Sequence, residues 1–238
     1  MLVERGLADS RAQAQALIRS GNVFAGERRI DKPGTPVSSD TDLVVRGREH
    51  PWVSRGGLKL DHALKHFGLE VDGVTALDVG ASTGGFTDVL LTRGAAKVYA
   101  VDVGYGQLNW KLRSDDRVVV LERMNARNLI AENIPEPVDI VVCDASFIGL
   151  EKVLPVPLGF ARPGALLVAL IKPQFEVGRG EVGKGGIVRD AALREAVCNR
   201  IEHWLAHLGG WSVLGIVESP VTGADGNVEF LIAARRID

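Results

Sequence analysis

The stretch DVGASTGGF, Asp78 to Phe86, decides the fold of this chain. An acidic residue closes an apolar run, a glycine-rich turn follows, and the apolar segment DVLL then continues with helical spacing. That succession is how an α/β sheet presents a strand, a tight turn and a helix N-terminus to a nucleotide-like ligand. Gly80, Gly84 and Gly85 lack the G-x-G-x-x-G order that brings a backbone against a pyrophosphate, so the spacing does not predict a dinucleotide site.

Outward from this motif, apolar runs alternate with helical segments. They fall at Ala76 to Val79, Val98 to Val101, Val118 to Leu121, Ile140 to Cys143, Leu166 to Ile171, Val213 to Val217 and Phe230 to Ala233. Largely apolar runs separated by helices predict a mainly parallel sheet covered on both faces. The last two runs are joined through Pro220, Gly223, Gly226 and Asn227 with no room for a helix, so they are expected to pair antiparallel. Toward the N-terminus a helix is expected over Arg11 to Arg19, with Ser10 as N-cap and Gly21 as stop, followed by short extended pieces around Val23, Ile30 and Leu43 to Val45. The expected division is a small α+β domain over 1–46, a linker over 47–58 in which Trp52 packs against one domain, and an α/β domain over 59–238.

The chain has 238 residues, 46% of them hydrophobic, enough for two cores. The net charge of −2 excludes a wholly basic nucleic-acid coat, but residues 1–60 hold ten Lys or Arg against seven Asp or Glu. Cys143 and Cys198 stand far apart, which predicts neither a disulfide framework nor a zinc site. His203 and His207 lie four apart without a third ligand in view, so no metal is expected. The longest apolar stretch, Ala165 to Ile171, is far short of the roughly 20 residues that span a bilayer. No cleavable signal pattern begins the chain. The expectation is a soluble, cytoplasmic protein that does not engage membranes.

The turn at 78–86 resembles the first motif of S-adenosylmethionine-dependent methyltransferases. On that reading Asp78, Gly80, Ser82, Gly84, Gly85 and Phe86 surround the cofactor, where glycines permit close approach and the helix start offers N–H groups to its carboxylate. Asp102 ends the next run in YAVDVG, where a carboxylate can accept both ribose hydroxyls. Asn125, after the third run, either meets the adenine edge or caps a helix.

Four further residues point to chemistry. Lys59 opens the α/β domain, Asp144 ends the fourth run, Lys172 ends the fifth and Glu229 begins the last. If the last strand runs antiparallel, Asp144, Lys172 and Glu229 share one sheet edge, and Lys59 reaches them from the preceding helix. Two ammonium and two carboxylate groups suit deprotonation of a poor acid such as a ribose hydroxyl without a metal. A lysine serves as base when burial or a neighbouring cation lowers its pKa, and Lys172 is the candidate.

Lys-Asp-Lys-Glu in this order is similar to the tetrad of FtsJ-like ribose 2′-O-methyltransferases. With SRGG, DVGASTGGFTDVLL, DVGYGQL, KPQFEVG and GNVEF, nearly the whole chain resembles the TlyA family, often labelled haemolysin. The resemblance implies a Rossmann-like methyltransferase with a mainly parallel seven-stranded sheet and an antiparallel last strand. It also implies S-adenosylmethionine as cofactor, and 2′-O-methylation of cytidines in ribosomal RNA or ribosomal subunits. LVERGLADSRAQAQALIRSGNVFAGERRIDKPG resembles the small RNA-binding module named after a ribosomal small-subunit protein, with a shortened first helix, which makes Arg5, Arg11, Arg19 and Arg28 candidate RNA contacts. The glycine-rich segment 173–189 carries Arg179 and Lys184 and reads either as a phosphate-seeking lid or as a plain connection. Two other functions stay open at this level: an RNA-binding protein with a silent methyltransferase fold, and a membrane-active haemolysin, for which the β-α alternation offers no spanning element.

Overall fold

A computed structural model describes residues 1–8, 11–19, 21–30, 32–45, 50–178, 180–223 and 226–237, leaving aside the side chains of residues 12, 13, 16 and 19. The chain forms two compact units, Met1–Pro51 and Trp52–Asp238.

The first unit holds helix α1 (Arg11–Arg19) and strands β1 (Val23–Ala25), β2 (Arg28–Ile30) and β3 (Leu43–Val45), which make an antiparallel sheet in the order β2-β1-β3. Its core is small: Leu2, Ala8, Ala14, Val23, Ile30 and Leu43. Residues 2–7 are turns rather than helix. Ser10, expected as the N-cap of α1, lies outside the described residues.

The second unit opens on α2 (Gly56–His66), then β4 (Thr75–Val79), α3 (Gly85–Thr92), β5 (Lys97–Val101), α4 (Trp110–Arg113), β6 (Val118–Leu121) and β7 (Val138–Cys143). There follow α5 (Leu150–Val153), α6 (Pro155–Leu158), β8 (Ala161–Ile171), α7 (Pro173–Glu176), α8 (Ala191–His207), β9 (Trp211–Glu218) and β10 (Phe230–Arg236). The residues 52–58, read from sequence as part of a linker, fold with this unit. Trp52 is buried, and a Cβ on Gly57 would lie 2.3 Å from its Cγ, so only glycine lets the start of α2 sit under that ring.

The sheet runs β6-β5-β4-β7-β8-β10-β9. β4 to β8 are parallel, and β10 lies antiparallel between β8 and β9. Val, Leu, Ile and Ala on both faces of the central strands divide the core into two layers, one on each side of the sheet. Leu77, Ile140 and Leu167 are wholly buried there, and truncating any of them to alanine costs about 2–5 kcal/mol. Asp190 starts α8 by accepting from Ala192 N and Leu193 N, a cap worth about 1 kcal/mol.

This order fixes where a ligand can sit. The chain builds outward from β4 to β6, then crosses back to lay β7 on the other side of β4, so the switch point lies between β4 and β7. The crevice beyond the carboxyl ends of those two strands is the expected binding place. Because Phe230 pairs with Ile171, the start of β10 faces the same edge as the end of β8.

Candidate active site

Two cavities open at that edge and meet at Gly80, Ser82, Asp144, Ser146 and Phe147. One, of about 410 Å³, is a groove over the ends of β4, β5 and β7. The other, of about 620 Å³, is a cleft reaching toward α2, α7 and the start of β10.

The groove is shaped by backbone. Gly80 has φ +81°, and a Cβ there would lie 2.8 Å from Ala145 Cα, so the turn after β4 packs directly on the turn after β7. Ser82 holds φ +48°, unusual for a residue with a side chain, and its N–H donates to Asp102 Oδ2 at 2.8 Å. Gly104 N–H donates to the other oxygen, Oδ1, at 2.7 Å. Asp102 is thereby aimed into the groove, and each carboxylate oxygen keeps a further lone pair for a hydroxyl. Asn125 lines the same groove while its Oδ1 accepts from Arg127 N–H at 3.1 Å, capping a short 3-10 turn at 126–128.

Beneath the groove, Asp78 is fully buried. Its Oδ2 accepts from Thr87 Oγ1 at 2.7 Å, whereas Oδ1 has no partner. Burial, with Asp144 and Asp102 adding like charge, pushes its pKa up to about 7 against the pull of the Thr87 hydrogen bond. Gly84 begins α3 with φ +95° and no side-chain cap; a Cβ there would strike Leu112 and Leu108. Its bareness therefore serves the packing of the turn. Gly85 packs against Ser54 and Gly57, and Phe86 is buried at the cleft wall.

The cleft is shaped by charge. Lys59, from α2, pairs with Glu229 Oε2 at 2.7 Å, and both side chains are buried. Gln174 Nε2 donates to the other Glu229 oxygen at 3.3 Å. Lys172 Nζ meets Asp144 Oδ1 at 2.7 Å and donates to Asp144 O at 2.9 Å and Ser146 Oγ at 2.8 Å. The four ionic residues named from sequence thus converge as two lysine–carboxylate pairs in one cleft. Removing one member of a buried pair strands the other charge, which costs about 3–5 kcal/mol.

Sequence reasoning missed four residues here. Ser146, Phe147 and Gln174 each stand within three positions of a tetrad member, and adjacency was the available signal. Phe147 has φ +65° and is 89% exposed at the junction of the cavities. Asn227 is buried, its Oδ1 accepting from Val188 N–H at 3.0 Å and its Nδ2 donating to Gly186 O at 2.9 Å, so it ties the glycine-rich segment to the turn before Glu229. Lys184 in that segment is exposed; Arg179 lies outside the described residues. In the first unit Arg5, Arg11 and Arg28 are exposed, with Arg5 Nη1 donating to Thr41 O at 2.6 Å, and the Arg19 side chain lies outside the described residues.

The family comparisons account for both units. Residues 52–236 match the FtsJ-like methyltransferase model and residues 1–43 the S4 domain model. The chain is 53% identical over 235 residues to the 16S/23S rRNA (cytidine-2'-O)-methyltransferase TlyA of Mycobacterium tuberculosis, covering 98% of this chain and 87% of that protein. The chain belongs to the TlyA family of FtsJ-like methyltransferases. The family includes Hemolysin A of Brachyspira hyodysenteriae, 42% identical over 95% of this chain and 94% of that one. A solved structure from Streptococcus thermophilus, also named as a hemolysin, superposes with a TM-score of 0.80 at 42% identity, covering 100% of this chain and 86% of that chain. Among the described residues no helix is long and apolar enough to cross a membrane.

FtsJ-like domains are S-adenosylmethionine-dependent methyltransferases, and the groove fits that cofactor on three observations. The orphaned buried Oδ1 of Asp78 suits an ammonium group, the uncapped start of α3 suits a carboxylate, and Asp102 suits a pair of ribose hydroxyls.

Proposed function

We propose that this protein methylates a ribose 2′-hydroxyl of ribosomal RNA, at a cytidine, in the cytoplasm, with Lys172 as the base. S-adenosylmethionine supplies the methyl group as an electrophile on its sulfonium, and S-adenosylhomocysteine is left when the ribose oxygen takes it. Asp102, Asn125 and the turn 80–86 hold the adenosine and amino-acid portions, with Asp78 below them. The observation that carries the reading is the meeting of the buried Lys59–Glu229 pair and the partly buried Lys172–Asp144 pair with the cofactor groove at Gly80, Ser82 and Asp144.

Lys172 takes the hydroxyl proton, Asp144 orients its nitrogen, and Lys59 with Glu229 binds the ribose and balances charge. General-base assistance of this kind contributes roughly 10²–10⁴ in rate, and alignment of the hydroxyl with the methyl group supplies much of the remainder. Phe147, open at the junction, offers a face on which an unstacked base can rest. The S4 unit, through Arg5, Arg11, Arg19 and Arg28, and the segment bearing Arg179 and Lys184 meet RNA phosphates. The names of the M. tuberculosis relative and the RNA-binding character of S4 modules support the substrate class.

The test is transfer of labelled methyl from S-adenosylmethionine to purified 30S and 50S subunits, with cofactor affinity followed by calorimetry. Label is expected in RNA and is expected to fall by about a hundredfold or more in Lys172→Ala with cofactor affinity retained. Absence of label despite cofactor binding, or equal labelling by the variant, overturns the reading.

A further inference from the structure

As an ammonium, Lys172 has three donors and no acceptor; it donates to Asp144 O and to Ser146 Oγ, and Asp144 Oδ1 stands beside it as an ion pair at 2.7 Å. A base must first be the neutral amine, with two N–H bonds and one lone pair. A carbonyl and a carboxylate offer only lone pairs, so a nitrogen lone pair turned toward either is repelled. A hydroxyl is different, because it accepts from the ammonium and, after rotation of its O–H, donates to the amine.

We propose that Ser146 is a positioning residue for Lys172, the one partner that switches from acceptor to donor as the lysine changes protonation. This rests on Lys172 being the base. In the neutral state the two N–H bonds stay on Asp144 and the lone pair is left on the Ser146 side. That side is where a substrate must enter, because Ser146 lines both the groove and the cleft. The incoming ribose hydroxyl takes the place of the Ser146 O–H at the lone pair. Its O–H bond breaks, the electron pair stays on the ribose oxygen, and the proton forms the third N–H of Lys172. Ser146 then turns back to accept from the ammonium.

The turn carrying Ser146 is held at both ends, by Lys172 on Asp144 O and by Glu176 Oε1, which accepts from Leu150 N–H at 2.8 Å. The charged groups around Lys172 are Asp144 beside it, Arg55 and the Lys59–Glu229 pair in the same cleft, and Asp78 beyond Asp144, two strands away on β4.

The experiment is single-turnover methyl transfer to saturating RNA over about pH 6–10, with wild type, Ser146→Ala, Ser146→Thr and Lys172→Ala in parallel. Ser146→Ala is expected to lose about tenfold of the plateau rate. Its rising limb is expected to move to lower pH, because the ammonium has lost an acceptor. Melting temperature and cofactor affinity stay at wild-type values, and Ser146→Thr, which keeps the hydroxyl, retains most of the rate and the wild-type limb. A plateau and limb unchanged in Ser146→Ala overturn the proposal, as does a loss shared equally by Ala and Thr or a loss without movement of the limb. If Ser146→Ala lowers the melting temperature, Ser146→Cys is read in its place: an intermediate plateau supports the proposal and a wild-type plateau overturns it. Failure of the underlying reading shows separately, as undiminished transfer by Lys172→Ala.

Discussion

The two cavities that meet at Gly80, Ser82 and Asp144 are built by opposite means. The groove is a matter of backbone: a glycine pressed on the next turn, a serine with positive φ, and a carboxylate gripped by two N–H groups. The cleft is a matter of side-chain charge, with two lysine–carboxylate pairs brought from four elements distant in sequence. The groove depends on where its backbone lies, whereas the cleft cannot spare a charge. Steric changes are therefore expected to act on cofactor affinity, and charge changes on the chemical step and on stability.

The sharpest contrast lies at Lys59. Lys59→Ala strands Glu229, which is 3% exposed, and is expected to lower stability by about 3–5 kcal/mol in denaturant titration. The same variant is expected to abolish methyl transfer. Lys59→Met combined with Glu229→Gln removes both charges and should restore most of the stability without restoring transfer. A double variant as unstable as the single one would mean that volume, not charge, holds this wall. The counterpart in the groove is Gly80→Ala. Its methyl group meets Ala145 at 2.8 Å in a backbone already at φ +81°, a conformation that costs a residue with a side chain about 1–2 kcal/mol. Cofactor affinity measured by calorimetry is expected to fall about tenfold or more, with turnover at saturating cofactor close to wild type. A fall in turnover with affinity intact would break the distinction between the two cavities.

The same distinction explains what could be read in the sequence. That Gly80, Ser82 and Asp102 would gather at one edge of the sheet was legible because successive parallel strands end there, each followed by its own turn. The convergence of Asp144, Lys172 and Glu229 was legible through topology: once β10 was expected to run antiparallel, Glu229 had to start beside the end of β8, where Lys172 stands. Gln174, Asn227 and Ser146 were illegible because their roles are pairwise contacts between loops, and no periodicity reports which loop meets which. Gly84 was read as a glycine that lets a ligand approach, and the sequence did not show that a side chain there would also strike Leu112 and Leu108. Glycines and a proline marked residues 47–58 as a linker with Trp52 packed on one domain; the ring of Trp52 lies over Gly57, and residues from Trp52 on belong to the second unit.

Asp78 sharpens the comparison, because it is a fully buried carboxylate beneath a groove shaped by backbone. Its pKa is raised from 3.8 to about 7, chiefly by burial. Between those two values the folded protein holds a proton that the unfolded chain has lost, so stability falls as pH rises from about 4 to about 7 and levels off above. Asp78→Asn removes that contribution, and its melting temperature should decline less than wild type over the same range. The cofactor's ammonium favours the ionised carboxylate, of which only about a tenth is present at pH 6 and about nine tenths at pH 8. Affinity of the wild type for S-adenosylmethionine should therefore rise about tenfold from pH 6 to pH 8, with about one proton released per cofactor bound near pH 6. Asp78→Asn should bind more weakly and with little pH dependence over that range. Parallel pH dependence in the two proteins would place the titrating group elsewhere, and the groove would then be set by backbone alone.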